Sequence, residues 1–270
     1  MLARLAIALI LFWCASAPPQ ETAARGKLVA AKAAIMDADY RGDLAALASL
    51  RTQTAALTDD PGLGYLADYW SGYASHRQAI NGVNAGMSQD DLRTNLEHAA
   101  ADFESSFHKK PDFGDAYAAA ASVHGWLAYP TYYPNDPAAS KSHRETASRL
   151  LAKAEELEPS NPRVMWVRAA FLLFSPPAYG GSPARAIEIY HRQAEVAPPL
   201  APRSPLPDWG KAEALMSLAY AHVIQSPPDL NAAGDEARAA LRLQPQWHYV
   251  RDILVPQIEA ARKQPAGVKK

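Results

Sequence analysis

The chain has 270 residues, with 27 Lys and Arg against 28 Asp and Glu, one cysteine, and a 49% apolar fraction that includes six tryptophans. That balance lacks the clustered positive charge with which a protein displaces counterions from nucleic acid, and it is too apolar for a disordered chain. One cysteine excludes a disulfide framework and a cysteine-rich zinc module, while alanine, the best helix former, supplies about a fifth of the residues.

Residues 1–17 read as a secretory signal peptide. A short basic start at Met1–Arg4 is followed by the apolar run Leu5–Trp13, and Ala15-Ser16-Ala17 then precedes Pro18 and Pro19. The run falls well short of the roughly 20 residues that cross a bilayer. Nothing later reaches that length, so the mature chain is expected to be exported, periplasmic or secreted, and to carry no transmembrane segment. Lipidation at Cys14 is disfavoured by the bulky Trp13 before it.

From residue 22 to 263 one local pattern recurs: an alanine-rich amphipathic stretch that ends in a proline. The prolines are Pro61, Pro111, Pro159, Pro198 and Pro245, spaced 50, 48, 39 and 47 residues apart. Proline lacks an N–H and restricts the residue before it, so each is expected to end a helix. Counting back twelve, eight and five residues gives Ala99, Phe103 and Ser106 before Pro111, and Ala147, Leu151 and Ala154 before Pro159. The same count gives Ala186, Tyr190 and Gln193 before Pro198, and Ala233, Ala237 and Ala240 before Pro245. Small residues at helical spacing let a neighbouring helix approach, with the middle residue filling the layer. Gln193 breaks the pattern, and a register slip onto Ala194 would repair it.

The segment Ala212-Glu213-Ala214-Leu215-Met216-Ser217-Leu218-Ala219-Tyr220-Ala221-His222, with the helix over about 230–243 that follows it, resembles a unit of the tetratricopeptide repeat family. The unit opening at Ala116-Tyr117 (with Ala120, Ala121 and His124) is similar, the one around Trp166, Ala169 and Ala170 more loosely so. Arg41-Gly42-Asp43-Leu44 resembles that family's turn between paired helices. The resemblance implies an all-α fold, an α-solenoid of about five helix-turn-helix units. Residues 246–263 are expected to form a capping helix with Trp247, Val250, Leu254 and Ile258 inward and Pro256 as a kink or break, and 264–270 a frayed tail. The family period is about 34 residues; insertions at 81–90, 129–141, 175–182 and 199–208 are expected to distort and partly close the array.

No phosphate loop, metalloprotease motif, nucleophile elbow or calcium loop occurs. No two of the eight histidines lie three or four apart, so no helical metal site is expected. Neither a cofactor nor catalysis is expected. In the family the resemblance invokes, first helices line a concave groove, which places Tyr65, Asp68, His76, Asp115, Ser122, Trp126, Phe171, Phe174, Glu213 and Tyr220 there. The insertions are expected either to bring Tyr132, Tyr133, Tyr179 and Trp209 to one rim, roofing the groove, or to pack each loop locally.

Two functions fit. One is an exported interaction module that docks a protein or peptide in the groove; the other is a small-molecule-binding accessory protein similar in architecture to the helical T component of tripartite periplasmic transporters. An open groove favours the first, an enclosed cavity the second.

Overall fold

The computed structural model describes residues 19–263; the expected leader over 1–17 and the expected tail over 264–270 lie outside the described residues. Within them the chain forms five antiparallel helix pairs and a terminal helix. The pairs are α1 (Pro19–Arg41) with α2 (Leu44–Ala55), α3 (Gly64–Asn84) with α4 (Gln89–Lys109), and α5 (Gly114–Leu127) with α6 (Pro137–Leu157). They continue with α7 (Pro162–Phe174) and α8 (Pro183–Val196), then α9 (Lys211–Ile224) and α10 (Leu230–Leu243). A π-helical turn, Tyr249–Leu254, leads into α11 (Val255–Lys263). Neighbouring helices pack in succession, the order of an all-α helical repeat. No helix among the described residues is long and apolar enough to cross a membrane.

The prolines stop the second helix of each pair as their chemistry requires. In four pairs the helix ends, one residue leaves helical geometry, and the proline follows: Lys110 before Pro111, Glu158 before Pro159, Ala197 before Pro198 and Gln244 before Pro245. Their ψ angles of 82°, 65°, 124° and 79° show the displacement out of the α region that a following proline imposes. The first pair differs, because two further turns separate α2 from Pro61. The start of α2 is built by Gly42, whose φ of 69° suits a residue without a Cβ, and by Asp43, whose carboxylate accepts from Ala46 N–H.

The inward register counted back from the prolines holds in α4, α6 and α10, with alanine in the middle place of α10. Ala99, Phe103 and Ser106 in α4 are fully buried, as are Ala147, Leu151 and Ala154 in α6 and Ala233, Ala237 and Ala240 in α10. In α8 the register does not slip onto Ala194. Gln193 itself is 0% exposed, because its amide nitrogen donates 2.8 Å to the Gly210 carbonyl. Only half of this amide is satisfied at a position that the sequence pattern reserves for a small residue, since its Oε1 is buried without a hydrogen-bond partner.

Trp247, Val250, Leu254 and Ile258 are all buried, as the cap requires. Pro256 falls in the first turn of α11 and the irregular π turn immediately precedes it, so the expected kink takes the form of a local change in helix pitch. The insertion expected over 81–90 is smaller than its sequence indicated, since α3 runs on to Asn84 and only 85–88 connect it to α4.

The array curves until its two ends meet. Tyr40, near the end of α1, packs edge-on against Trp247 with ring centroids 5.0 Å apart, and its hydroxyl donates to Glu213 at the start of α9. The Cβ absent from Gly42 would lie 3.0 Å from the His248 ring. Because Ala147 and Ala240 lie at helix contacts, replacing either by leucine is expected to cost about 1–3 kcal/mol by overpacking. Urea denaturation of the two variants checks this, with Ala194→Leu, at a partly exposed position, expected to cost less.

Candidate binding site

First helices of successive pairs face the inside of the curve, and side chains from all five reach a common crevice there. Asp39 comes from α1, Tyr69, Tyr73, His76 and Arg77 from α3, and Asp115 and Ser122 from α5. Arg163, Trp166 and Val167 come from α7, and Glu213 and Met216 from α9. The space left between these atoms is narrow, about 30 Å³, room for a water-sized group.

One end of the interior is filled by the connector 197–210, which does not stay outside. Lys32 anchors it from α1, donating to the carbonyls of Ser204 (3.1 Å) and Leu206 (3.0 Å) and pairing with Asp208 at 2.6 Å. The Trp70 indole donates 2.7 Å to the Pro205 carbonyl. Trp209 then lies 7% exposed among Tyr73 (5.9 Å) and Trp166 (5.8 Å). Burying a backbone segment requires partners for its carbonyls, and Lys32 and Trp70 supply them.

The crevice walls are charged but internally paired. Arg163 grips Asp115 with two nitrogens and gives a third hydrogen bond to the Trp209 carbonyl at 3.2 Å. Arg77 donates 2.7 Å to Asp39, which also accepts from Asn81 at 2.9 Å and from Tyr73 at 3.3 Å. Glu213 accepts from Tyr40 and from Gly210 N–H at 2.8 Å; burial nonetheless pushes its carboxyl above the usual range. His76 is the exception. Its Nε2 is buried without a hydrogen-bond partner, and burial, helped by the neighbouring Arg77 charge, lowers its pKa to about 3.

At the other end the interior opens. Stepping four residues along a helix moves one turn on the same face. From the crevice residues Ser122, Val167 and Met216 that step reaches Trp126, Phe171 and Tyr220. Trp126 packs 6.1 Å from Tyr129, Phe171 covers Gly125, and Phe174 lies 5.9 Å from Tyr220. Phe174 is 52% and Tyr129 48% exposed, an aromatic ledge around the mouth.

The residues expected in the groove therefore separate into three groups. His76, Asp115, Ser122 and Glu213 line the crevice, and Trp126, Phe171, Phe174 and Tyr220 form its mouth. Tyr65 and Asp68 belong to neither. Tyr65 lies a turn below Tyr69, packed edge-on against Phe113 at 5.2 Å. Asp68 faces away toward α4, where it accepts from Thr58 and from Ser105 at 2.6 Å and pairs with Lys109 at 2.7 Å. The four loop aromatics do not converge on a rim. Tyr132 is buried in the core, Tyr133 stacks on His143 and donates to Glu97, Tyr179 is exposed, and Trp209 lies in the interior.

Several crevice residues carry no sequence signal that could have found them. Asp39, Arg77 and Arg163 read as ordinary helix-surface charges until the curvature brings α1, α3, α5 and α7 together. Tyr129 had a signal, being an aromatic residue beside a proline-rich loop. No family model matches the chain, and no curated protein matches it.

Arg163→Met would strand Asp115 in the interior, and a loss of about 3–5 kcal/mol is expected, most of it recovered by adding Asp115→Leu. Chemical denaturation of the single and double variants measures both. A second expectation concerns pH. With a native pKa of about 3 against 6.5 unfolded, His76 binds a proton in the unfolded chain first, so stability falls as pH drops below 6.5. The contribution is about 1.4 kcal/mol per pH unit. Burial also lowers the pKa of His143 and His222, which steepens the same decline, so the diagnostic quantity is a difference. Stability of His76→Gln should fall less between pH 6.5 and 5 than that of the parent.

Proposed function

We propose that this chain is an exported, non-catalytic interaction module of the tetratricopeptide-like kind, which docks a peptide or protein segment at the mouth of its closed array. The observation that carries the reading is the aromatic ledge of Trp126, Tyr129, Phe171, Phe174 and Tyr220, supplied by three successive units and partly open to solvent. Aromatic side chains that stay exposed around a concave opening are the usual anchors of protein recognition, since they bury large area with few rotors to immobilise. The narrow crevice beneath accepts at most a side chain from such a partner, and the connector 197–210 occupies the place where a bound strand or helix would run through an open groove.

One observation favours the small-ligand reading. The partnerless nitrogen of His76 is a buried polar atom on a residue that lines the crevice, where one hydrogen bond would orient a small ligand that widened the space. The two readings separate experimentally. Under the docking reading, Phe174→Ala and Tyr220→Ala weaken capture of a partner from periplasmic extract at least tenfold; Phe174→Ala, at a 52% exposed position, leaves the thermal midpoint within about 2 °C, whereas Tyr220→Ala, packed against the core, also lowers it. Capture that survives both substitutions would reject it. Native mass spectrometry of purified protein tests the alternative: a bound small molecule lost on His76→Gln supports it.

A further inference from the structure

Outside the crevice, three successive helices bring together a group of side chains that their sequence spacing conceals. His191 from α8, His222 from α9 and Glu236 from α10 each present one ligand atom, and the three atoms lie within 4.8 Å of one another. We propose that His191, His222 and Glu236 form a binding site for a divalent transition-metal ion of the zinc class.

The geometry is poor for hydrogen bonding and good for coordination. His222 Nε2 and Glu236 Oε1 are 3.5 Å apart, beyond a sound hydrogen bond between these groups. Two ligands at about 2.0–2.1 Å from a tetrahedral ion stand roughly 3.4 Å from each other, so this pair already has the span a shared ion requires. The His191 and His222 rings are 6.5 Å apart between centroids, and His191 is exposed, free to rotate toward the common point.

His222 and Glu236 are both largely buried, and Glu236 Oε2 lacks any hydrogen-bond partner. Their side chains are 12% and 14% exposed, and no lysine or arginine pairs with Glu236 among the described residues. Glu236 is therefore a largely buried carboxylate without a lysine or arginine counter-charge. A cation at the common point would supply that charge. Two imidazoles and a carboxylate suit zinc and its first-row neighbours rather than calcium or magnesium, and three protein ligands leave one position for water.

No two histidines lie three or four apart on one helix, so local spacing gives no sign of a metal site. Here the ligands come from three helices, which the repeat packing places side by side. An ion would tie the fourth unit to the fifth, fixing α9, the helix that carries Tyr220.

The test uses untagged full-length protein freed of metal by chelator and titrated with Zn²⁺ by calorimetry, with Co²⁺ absorption as a second reading of the ligand set. One equivalent is expected, with a raised thermal midpoint and visible Co²⁺ bands. His222→Ala and Glu236→Gln should each weaken binding at least about tenfold. His191→Ala, at an exposed position with little effect on folding, should do the same and keeps the test decisive if the other two variants are unstable. Zn²⁺ binding that is unchanged in His191→Ala, that appears as several weak equivalents insensitive to these substitutions, or that is absent below millimolar concentration would overturn the proposal.

Discussion

Two helices pack at a distance set by the side chains between them, and in this chain that distance is controlled at a few alanines. Ala99, Ala147, Ala186 and Ala233 occupy the same register relative to the proline that ends each second helix, and all are completely shielded from water. A methyl group there lets the following first helix come close; a larger residue seven positions on, such as Gln193, is tolerated only because a backbone carbonyl receives its amide. The repeated approach sets the angle between units, and the accumulated angle curves the array until α1 meets the terminal cap.

Curvature in turn creates an interior that would otherwise not exist. Five first helices direct charged and aromatic side chains into a space too small to hydrate each of them freely, so their charges must be matched within the protein. Asp115 with Arg163, Asp39 with Arg77 and Glu213 with Tyr40 accomplish this across three different pairs of helices. The connector 197–210 completes the arrangement by giving Arg163 and Lys32 backbone carbonyls to bind. At the far end, where the inner faces of α5, α7 and α9 emerge, Tyr129 and Phe174 remain about half uncovered.

How much of this was readable beforehand depended on whether the information was local. The helix pairs, the capping stripe and the proline stops were legible, because amphipathic period and proline chemistry act within about a dozen residues. So were Trp126, Phe171, Phe174 and Tyr220, which follow from the register of first helices. Asp68 was misplaced because α3 presents Tyr69, Tyr73 and His76 inward, about a quarter turn away. Trp209 was expected at a rim and lies inside, a consequence of Lys32 and Trp70, both more than a hundred residues away in sequence. Pairings at that range depend on the summed angles of every intervening unit, which no short window contains.

The meeting of Tyr40 with Trp247 and Glu213 has an evolutionary corollary. Open helical arrays lengthen or shorten by whole hairpins at little cost, since each hairpin touches only its neighbours. In this molecule a gained or lost hairpin would carry the two halves of that junction past each other, separating a buried hydroxyl from the carboxylate it serves. That junction therefore constrains the number of hairpins in a way that an open array escapes.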